Sequence, residues 1–287
     1  MKWQGRRGSS HIEDRRGGRG VGRSVGRAGG LTGLGAVAVL LIGYVIGVDV
    51  TPLLEGGGGG AGYETSGALS DQDRAMGDFV SVTLADTEEV WAEIFASELG
   101  RSYDPVTLVL FSQVTQSPCG NASGATGPFY CPTDKKVYLD TAFFNTLSQQ
   151  LGAQGDFAMA YVVAHEVAHH VQDELGILAK VNAVRARASA AESNALSVRI
   201  ELQADCFSGV WARHAAETFG SIERGDIAEA MTAAAKIGDD TLQRNAGRRP
   251  MPDSFTHGTS VQRQRWFATG FESGAVGACD TFSARVL

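Results

Sequence analysis

The chain has little cysteine, and none of it is spaced for metal. Its four cysteines are Cys119, Cys131, Cys206 and Cys279. The absence of any C-x-x-C pair argues against a cysteine zinc cluster and a thioredoxin-type redox motif. No internal repeat is visible, which excludes solenoids and propellers. Histidine is scarce, with six in 287 residues. A surplus of positive charge is confined to one end. Residues 1–28 hold Lys2 and seven arginines against Glu13 and Asp14, a net of +6, while the rest carries 17 basic and 30 acidic side chains. The larger part of the chain therefore repels phosphate, and nucleic acid is not an expected partner.

Against that scarcity of histidine stands His165-Glu166-Val167-Ala168-His169. It has the H-E-x-x-H pattern, which on a helix builds a zinc site with its own general base. Residues four apart project from one helical face about a turn apart, so two imidazoles there can share a tetrahedral Zn²⁺. Glu166 points aside from the ligands yet reaches a water in the open metal position. Gly155-Asp156 reads as the helix start with Asp156 as N-cap, and Gly176 as the stop. Val163, Val167, Val171 and Leu175 form an apolar stripe away from Tyr161, His165 and His169. The pattern predicts a helix that buries one side and offers the other.

The third ligand is not in the same helix. The extended pattern H-E-x-x-H-x-x-G-x-x-H would need Gly and His where Gln172 and Leu175 stand. A later helical segment supplies Glu201 and, four residues on, Asp205. Glu201 completes a His₂Glu set that leaves the fourth position to water. Asp205 then accepts the Nδ1–H of one ligating histidine and fixes its tautomer. Asp205 as ligand in place of Glu201 is the alternative. The expected cofactor is one zinc ion per chain.

Four blocks carry a family resemblance. They are Cys119 with the glycine-rich stretch to Phe129-Tyr130-Cys131-Pro132, the run Ala164 to Gln172, Glu201-Leu202-Gln203-Ala204-Asp205-Cys206, and Ser254-Phe255-Thr256-His257-Gly258-Thr259-Ser260. Together they resemble the bacterial, membrane-anchored family of putative neutral zinc metallopeptidases. The resemblance implies a gluzincin-like fold, zinc and peptide hydrolysis, and no particular substrate. It also implies that an edge strand near Tyr138 pairs with the substrate backbone.

The chemistry expected is metal-assisted hydrolysis of a peptide or protein. Glu166 takes the proton of the attacking water and passes it to the leaving amine. The oxyanion benefits from a donor besides zinc. His257, in a polar turn late in the chain, can supply it, and so can Tyr161 or Tyr138. The plain alternative is that His257 only stabilises its turn. His170 follows a ligand and points off the metal face, so it reads as structural. His214 has no assigned role, and His11 lies in the basic arm. A different class of function is a catalytically silent, zinc-stabilised binding module outside the cytoplasm, which needs the ligands but not Glu166.

The organisation predicted is a disordered basic cytoplasmic tail over 1–28, a transmembrane signal anchor over 29–54, a glycine-rich linker over 55–69 and a metallopeptidase domain over 70–287. The anchor rests on Leu31–Val48, 18 uncharged residues near the short end of what spans a bilayer. Basic residues before it argue for a single-pass protein in the cell membrane with its C-terminal domain extracytoplasmic. A cleaved signal peptide has the same charge layout but a much shorter n-region. The domain reads as helix-rich α+β with a small sheet, and the family resemblance implies a zincin-like arrangement of it. Helices are expected over 71–100, 141–151, 189–219 and 226–237 and after Thr259, with strands at 106–111 and 137–139. An even cysteine count outside the membrane suggests two disulfides. Cys119 and Cys131 flank one loop and are natural partners, which leaves Cys206 for Cys279. Buried free thiols are the alternative, as is a ligand role for Cys206, although its place one residue beyond Asp205 turns it off that face.

Overall fold

The structure, a computed structural model, describes residues 1–17, 69–123 and 126–287. Leu31–Val48 and nearly all of the glycine-rich linker lie outside the described residues. Among the described residues no helix is long and apolar enough to cross a membrane. The architecture is helix-rich α+β with small sheets.

Strand β1 (Ile12–Asp14) precedes the first long helix, α1 (Asp71–Ser97). Ser70 and Asp73 close a reciprocal capping box at the start of α1. That box satisfies two of the amide donors a helix start leaves open. The helix buries Phe79, Leu84, Trp91, Ile94 and Phe95. Next come β2 (Thr107–Phe111), the hairpin β3 (Val114–Ser117) and β4 (Gly120–Ser123), then β5 (Phe129–Cys131) and β6 (Lys136–Asp140). The main sheet has the order β1-β2-β6-β5. β1, β2 and β6 run parallel, and β5 is antiparallel to β6. Tyr138 therefore lies on an inner strand, not on an edge. Among the described strands of this sheet β1 and β5 are the edges, because the two expected strands gained a neighbour on each side. Cys119 and Cys131 form a disulfide beside the hairpin.

A short helical stretch follows, Phe143–Asn145 running on into a π-helical turn at Thr146–Gln150, and then six longer helices: α2 (Asp156–Glu174), α3 (Ile177–Arg185), α4 (Ala190–Phe219), α5 (Asp226–Lys236), α6 (Asp239–Asn245) and α7 (Ser260–Ser273). α2 is more deeply set than its stripe suggests. Tyr161, Ala164, Val167 and Ala168 are all buried, because α1, α4, α5 and the sheet surround the helix. Its N-cap is Gly155 at φ 104°, and Asp156 is the first helical residue. The cap Asp156 was expected to provide comes from another helix, since Glu229 Oε2 accepts the Phe157 amide at 3.0 Å.

Helix α7 lies directly on α4. A Cβ at Gly270 would stand 1.8 Å from the Cys206 carbonyl oxygen, and one at Gly209 would stand 2.1 Å from that of Phe267. Only glycine at the crossing permits this approach. The Cys206–Cys279 disulfide ties the segment after α7 back to α4.

Residues 1–17 correct the expectation of a disordered tail over 1–28. Met1 is buried, and Trp3 packs edge-on against Phe79 at 5.5 Å. Arg6 pairs with Asp86, and His11 with Glu88 at 2.8 Å. Ile12, Glu13 and Asp14 pair in register with Leu108, Val109 and Leu110. Arginine and glycine with few apolar residues do read as disorder in isolation. The missing terms were the acidic face of α1 and the open edge of β2, neither of which is local in sequence. The Met1 ammonium sits among Asp156, Glu223 and Asp226, closest to Asp156 at 2.6 Å.

Candidate metal centre

Helix α2 supplies His165, Glu166 and His169, and α4 crosses it to bring Glu201 and Asp205. The distances show which side-chain atoms converge. His165 Nε2 lies 3.1 Å from Glu201 Oε2, and His169 Nε2 lies 3.6 Å from Glu201 Oε1. One ligand atom from each of His165, His169 and Glu201 lies within 4.8 Å of the others. Tetrahedral ligands about 2.0–2.1 Å from zinc stand roughly 3.3 Å apart. The two observed separations lie close to that value, so the three groups could hold a zinc ion between them.

The other ring nitrogens are held from behind. His165 Nδ1 donates to Asp205 Oδ1 at 2.9 Å, and His169 Nδ1 donates to Gln172 Oε1 at 2.8 Å. Gln172 is itself fixed, donating to the Ile200 carbonyl at 2.8 Å and to Gln203 Oε1 at 3.1 Å. Both imidazoles thus present Nε2 to the same point with their tautomers set. Asp205 takes the orienting place, while Glu201 is the carboxylate that faces both rings. Cys206 is in a disulfide and is not available as a ligand.

Behind Asp205 lies a buried charge cluster that the sequence did not reveal. Arg263 of α7 is 2% exposed and grips Asp205 with Nε and Nη2, both at 2.8 Å. Tyr161 donates its hydroxyl to Asp205 Oδ1 at 2.5 Å. Asp205 thereby has a full opposing charge and three donor residues, which a carboxylate out of water requires. Burial opposes its ionisation, but Arg263 and His165 together hold its carboxyl below the usual range.

The charges at the ligand point also call for a cation. Burial opposes the imidazolium of His165, yet hydrogen bonds to Asp205 and Glu201 outweigh it and raise the ring to about 9. His169 is raised too, since Glu201 outweighs burial. Burial likewise opposes the charge on Glu201, but His169 and His165 hold its carboxyl well below the ordinary range. Two imidazoles facing one ionised carboxylate attract positive charge, which a divalent ion provides as readily as protons do.

Glu166 is buried beside the two histidines but outside the ligand cluster. Among the described residues no group hydrogen-bonds its carboxylate. Burial raises its pKa, with His169 and His165 acting against the shift.

His257 sits in the turn before α7, with 48% of its side chain exposed. Asp239, at the start of α6, organises the whole turn. Its Oδ2 accepts the amides of Thr256, His257 and Gly258 at 2.8, 2.7 and 2.9 Å. Its Oδ1 faces His257 Nδ1 at 3.2 Å. Gly258, at φ 93°, lets the turn press on Leu202 and Val198 of α4. Burial works against the His257 imidazolium, and Asp239 and Glu201 raise its pKa overall. The two tyrosines considered as alternative donors are engaged elsewhere. Tyr161 is fully buried on Asp205 and Arg263, and Tyr138 donates to Asp134 at 2.7 Å. His170 bonds the Asp104 carbonyl and Tyr130, and His214 bonds the Gly274 carbonyl, both as structural contacts.

Of the residues missed by sequence reasoning, Gln172 alone had a local signal, since it lies one turn beyond His169 on the same helix. Asp239 and Arg263 reach the site from other helices.

Uncharacterized protein YpfJ of Escherichia coli (strain K12) is 46% identical over 291 aligned positions, covering 100% of both chains. Uncharacterized protein Rv2575 of Mycobacterium tuberculosis is 41% identical over 228 positions, 76% of this chain and 74% of the relative. No solved structure matches. The family model described as "Putative neutral zinc metallopeptidase" matches residues 1–282. The extent of that match, nearly end to end, makes this chain a member of the putative neutral zinc metallopeptidase family.

Proposed function

We propose that the protein is a zinc-dependent peptidase in which Glu166 is the general base. One observation carries the reading. An unengaged carboxylate stands beside a convergent His165, His169 and Glu201 set whose ring orientations are fixed from behind. Zinc bound there supplies a Lewis acid that acidifies water and polarises the scissile carbonyl.

The chain's own residues supply the rest. Glu166 accepts a proton from the attacking water and returns it to the leaving amine, and its burial favours a carboxylate that holds protons more readily than an exposed one. Asp205 and Gln172 keep the two imidazoles from rotating. His257, kept in place by Asp239, offers its Nε2 side to the developing oxyanion. The substrate is a peptide or protein, and the apolar run Leu31–Val48 is the proposed point of membrane attachment.

Glu166→Gln tests the assignment. The variant should keep its zinc and its melting temperature, because three protein ligands remain. Turnover on an unbiased peptide library should fall by at least ~10²–10⁴, the loss expected for a general base. Full activity in a zinc-replete Glu166→Gln protein would sink the mechanism. A zinc-bound wild type that cleaves nothing would return the reading of a silent binding module.

A further inference from the structure

Residues 1–17 and residues 69–287 form one folded body. From this we infer that the N-terminal segment and the metallopeptidase domain lie on the same side of any membrane the protein meets. A single-pass arrangement with Met1 in the cytoplasm and the domain outside cannot accommodate this fold. The inference does not rest on the catalytic reading.

The contacts joining the segment to the domain are specific, and they run its whole length. The Lys2 amide donates to the Ser221 carbonyl at 2.8 Å. Trp3 meets Phe79, and the Arg6 guanidinium lies over the Phe219 ring at 4.4 Å while pairing with the buried Asp86. Ser9 and His11 both bond Glu88. The Leu108 amide donates to the His11 carbonyl, and the Arg15 amide donates to Leu110, so β1 is a true member of the sheet. Arg16, 7% exposed, donates to the Asp73 carbonyl at 2.7 Å. Asp86 and Glu88 are buried in this fold, and Arg6 and His11 of the segment face them. A carboxylate out of water is stable only beside such partners, so the segment and α1 are matched in charge.

The two ends of the chain between them emerge together. Arg16 and Leu69 border the same surface cavity, with Arg74 and Gly77. A run of 18 residues such as Leu31–Val48 spans a bilayer about once as a helix. One crossing would separate Ile12 from Leu108, which are paired strand residues here.

The test uses the full chain in its native membrane and needs no mutation. Lys2 and Lys180 are both exposed, one in the segment and one in the domain. Intact cells, and then permeabilised cells, are treated with a membrane-impermeant amine reagent and mapped by peptide mass spectrometry. Both lysines should react in the same state, whichever compartment that is. Reaction of one with protection of the other overturns the inference. So does a mature protein from which residues 1–17 have been cleaved. As a second measurement, Trp3→Ala in the purified full chain should lower the melting temperature of the domain by several degrees. An unchanged temperature would mean that the segment is not seated on the domain.

Discussion

Arg263→Met removes a charge that never touches the metal. Arg263 is 2% exposed and holds both oxygens of Asp205, whose side chain is fully buried. Methionine fills similar volume but leaves the carboxylate with only Tyr161 and His165 as donors. Removing one partner of a buried ion pair costs about 3–5 kcal/mol. In a domain of this size each kcal/mol is worth ~2–4 °C of melting temperature, so the midpoint should fall by roughly 6–20 °C. The change should also reach the metal, because Asp205 sets the orientation of His165. Loss of such an outer contact typically weakens metal binding ~10–100-fold. Calorimetry on the zinc-loaded protein reads the first effect, and competition with a chromogenic chelator reads the second. Arg263→Lys keeps the charge but not the two-pronged grip, and should fall between. Adding Asp205→Asn to Arg263→Met should recover part of the stability, since no charge is then stranded. If Arg263→Met leaves both melting and zinc affinity unchanged, the cluster has no supporting role and the argument is wrong.

Other outcomes follow from the same contacts. Glu201→Ala should lose stoichiometric zinc by elemental analysis, and retention of the full content would remove Glu201 from the ligand set. Replacing Cys206 and Cys279 together with alanine opens a loop of 73 residues, with an expected loss of about 2–4 kcal/mol in denaturant unfolding; an unchanged midpoint would show that packing of α7 on α4 alone holds that end. Asp86 is pushed up to about 6, mainly by burial, with Arg6 acting against the shift. A raised carboxyl favours folding below its unfolded value and loses that contribution as pH rises through about 6. The loss is about 3 kcal/mol to order of magnitude, so melting of the wild type relative to Asp86→Asn should decline between pH 4 and pH 6. Asp239→Asn should reduce turnover while leaving zinc content unchanged, and an equal loss of zinc would place Asp239 with the metal rather than with His257.

The sequence by itself determined the candidate site. The i, i+4 histidines with an intervening glutamate, and a carboxylate pair four apart on a later helix, are local periodic patterns that survive any packing. The helix-rich architecture and most helix limits were legible for the same reason, and the two cysteine pairs followed from an even count with one pair flanking a single loop. The tertiary structure decided what depends on opposing surfaces. It placed Glu201 between the two rings and Asp205 behind one of them. It brought Arg263 from α7, Asp239 from α6 and Gln172 into orienting contacts. It gave the Tyr138 strand a neighbour on each side, and it capped the metal helix with Glu229 rather than Asp156. It also reversed the reading of the N-terminal segment, whose arginines and glycines look disordered until the carboxylates of α1 and the open edge of β2 are set against them. A buried charge is stable only beside its opposite, and a strand only beside an unpaired edge. Which partner answers which residue is a property of the folded chain, and no local window of sequence holds it.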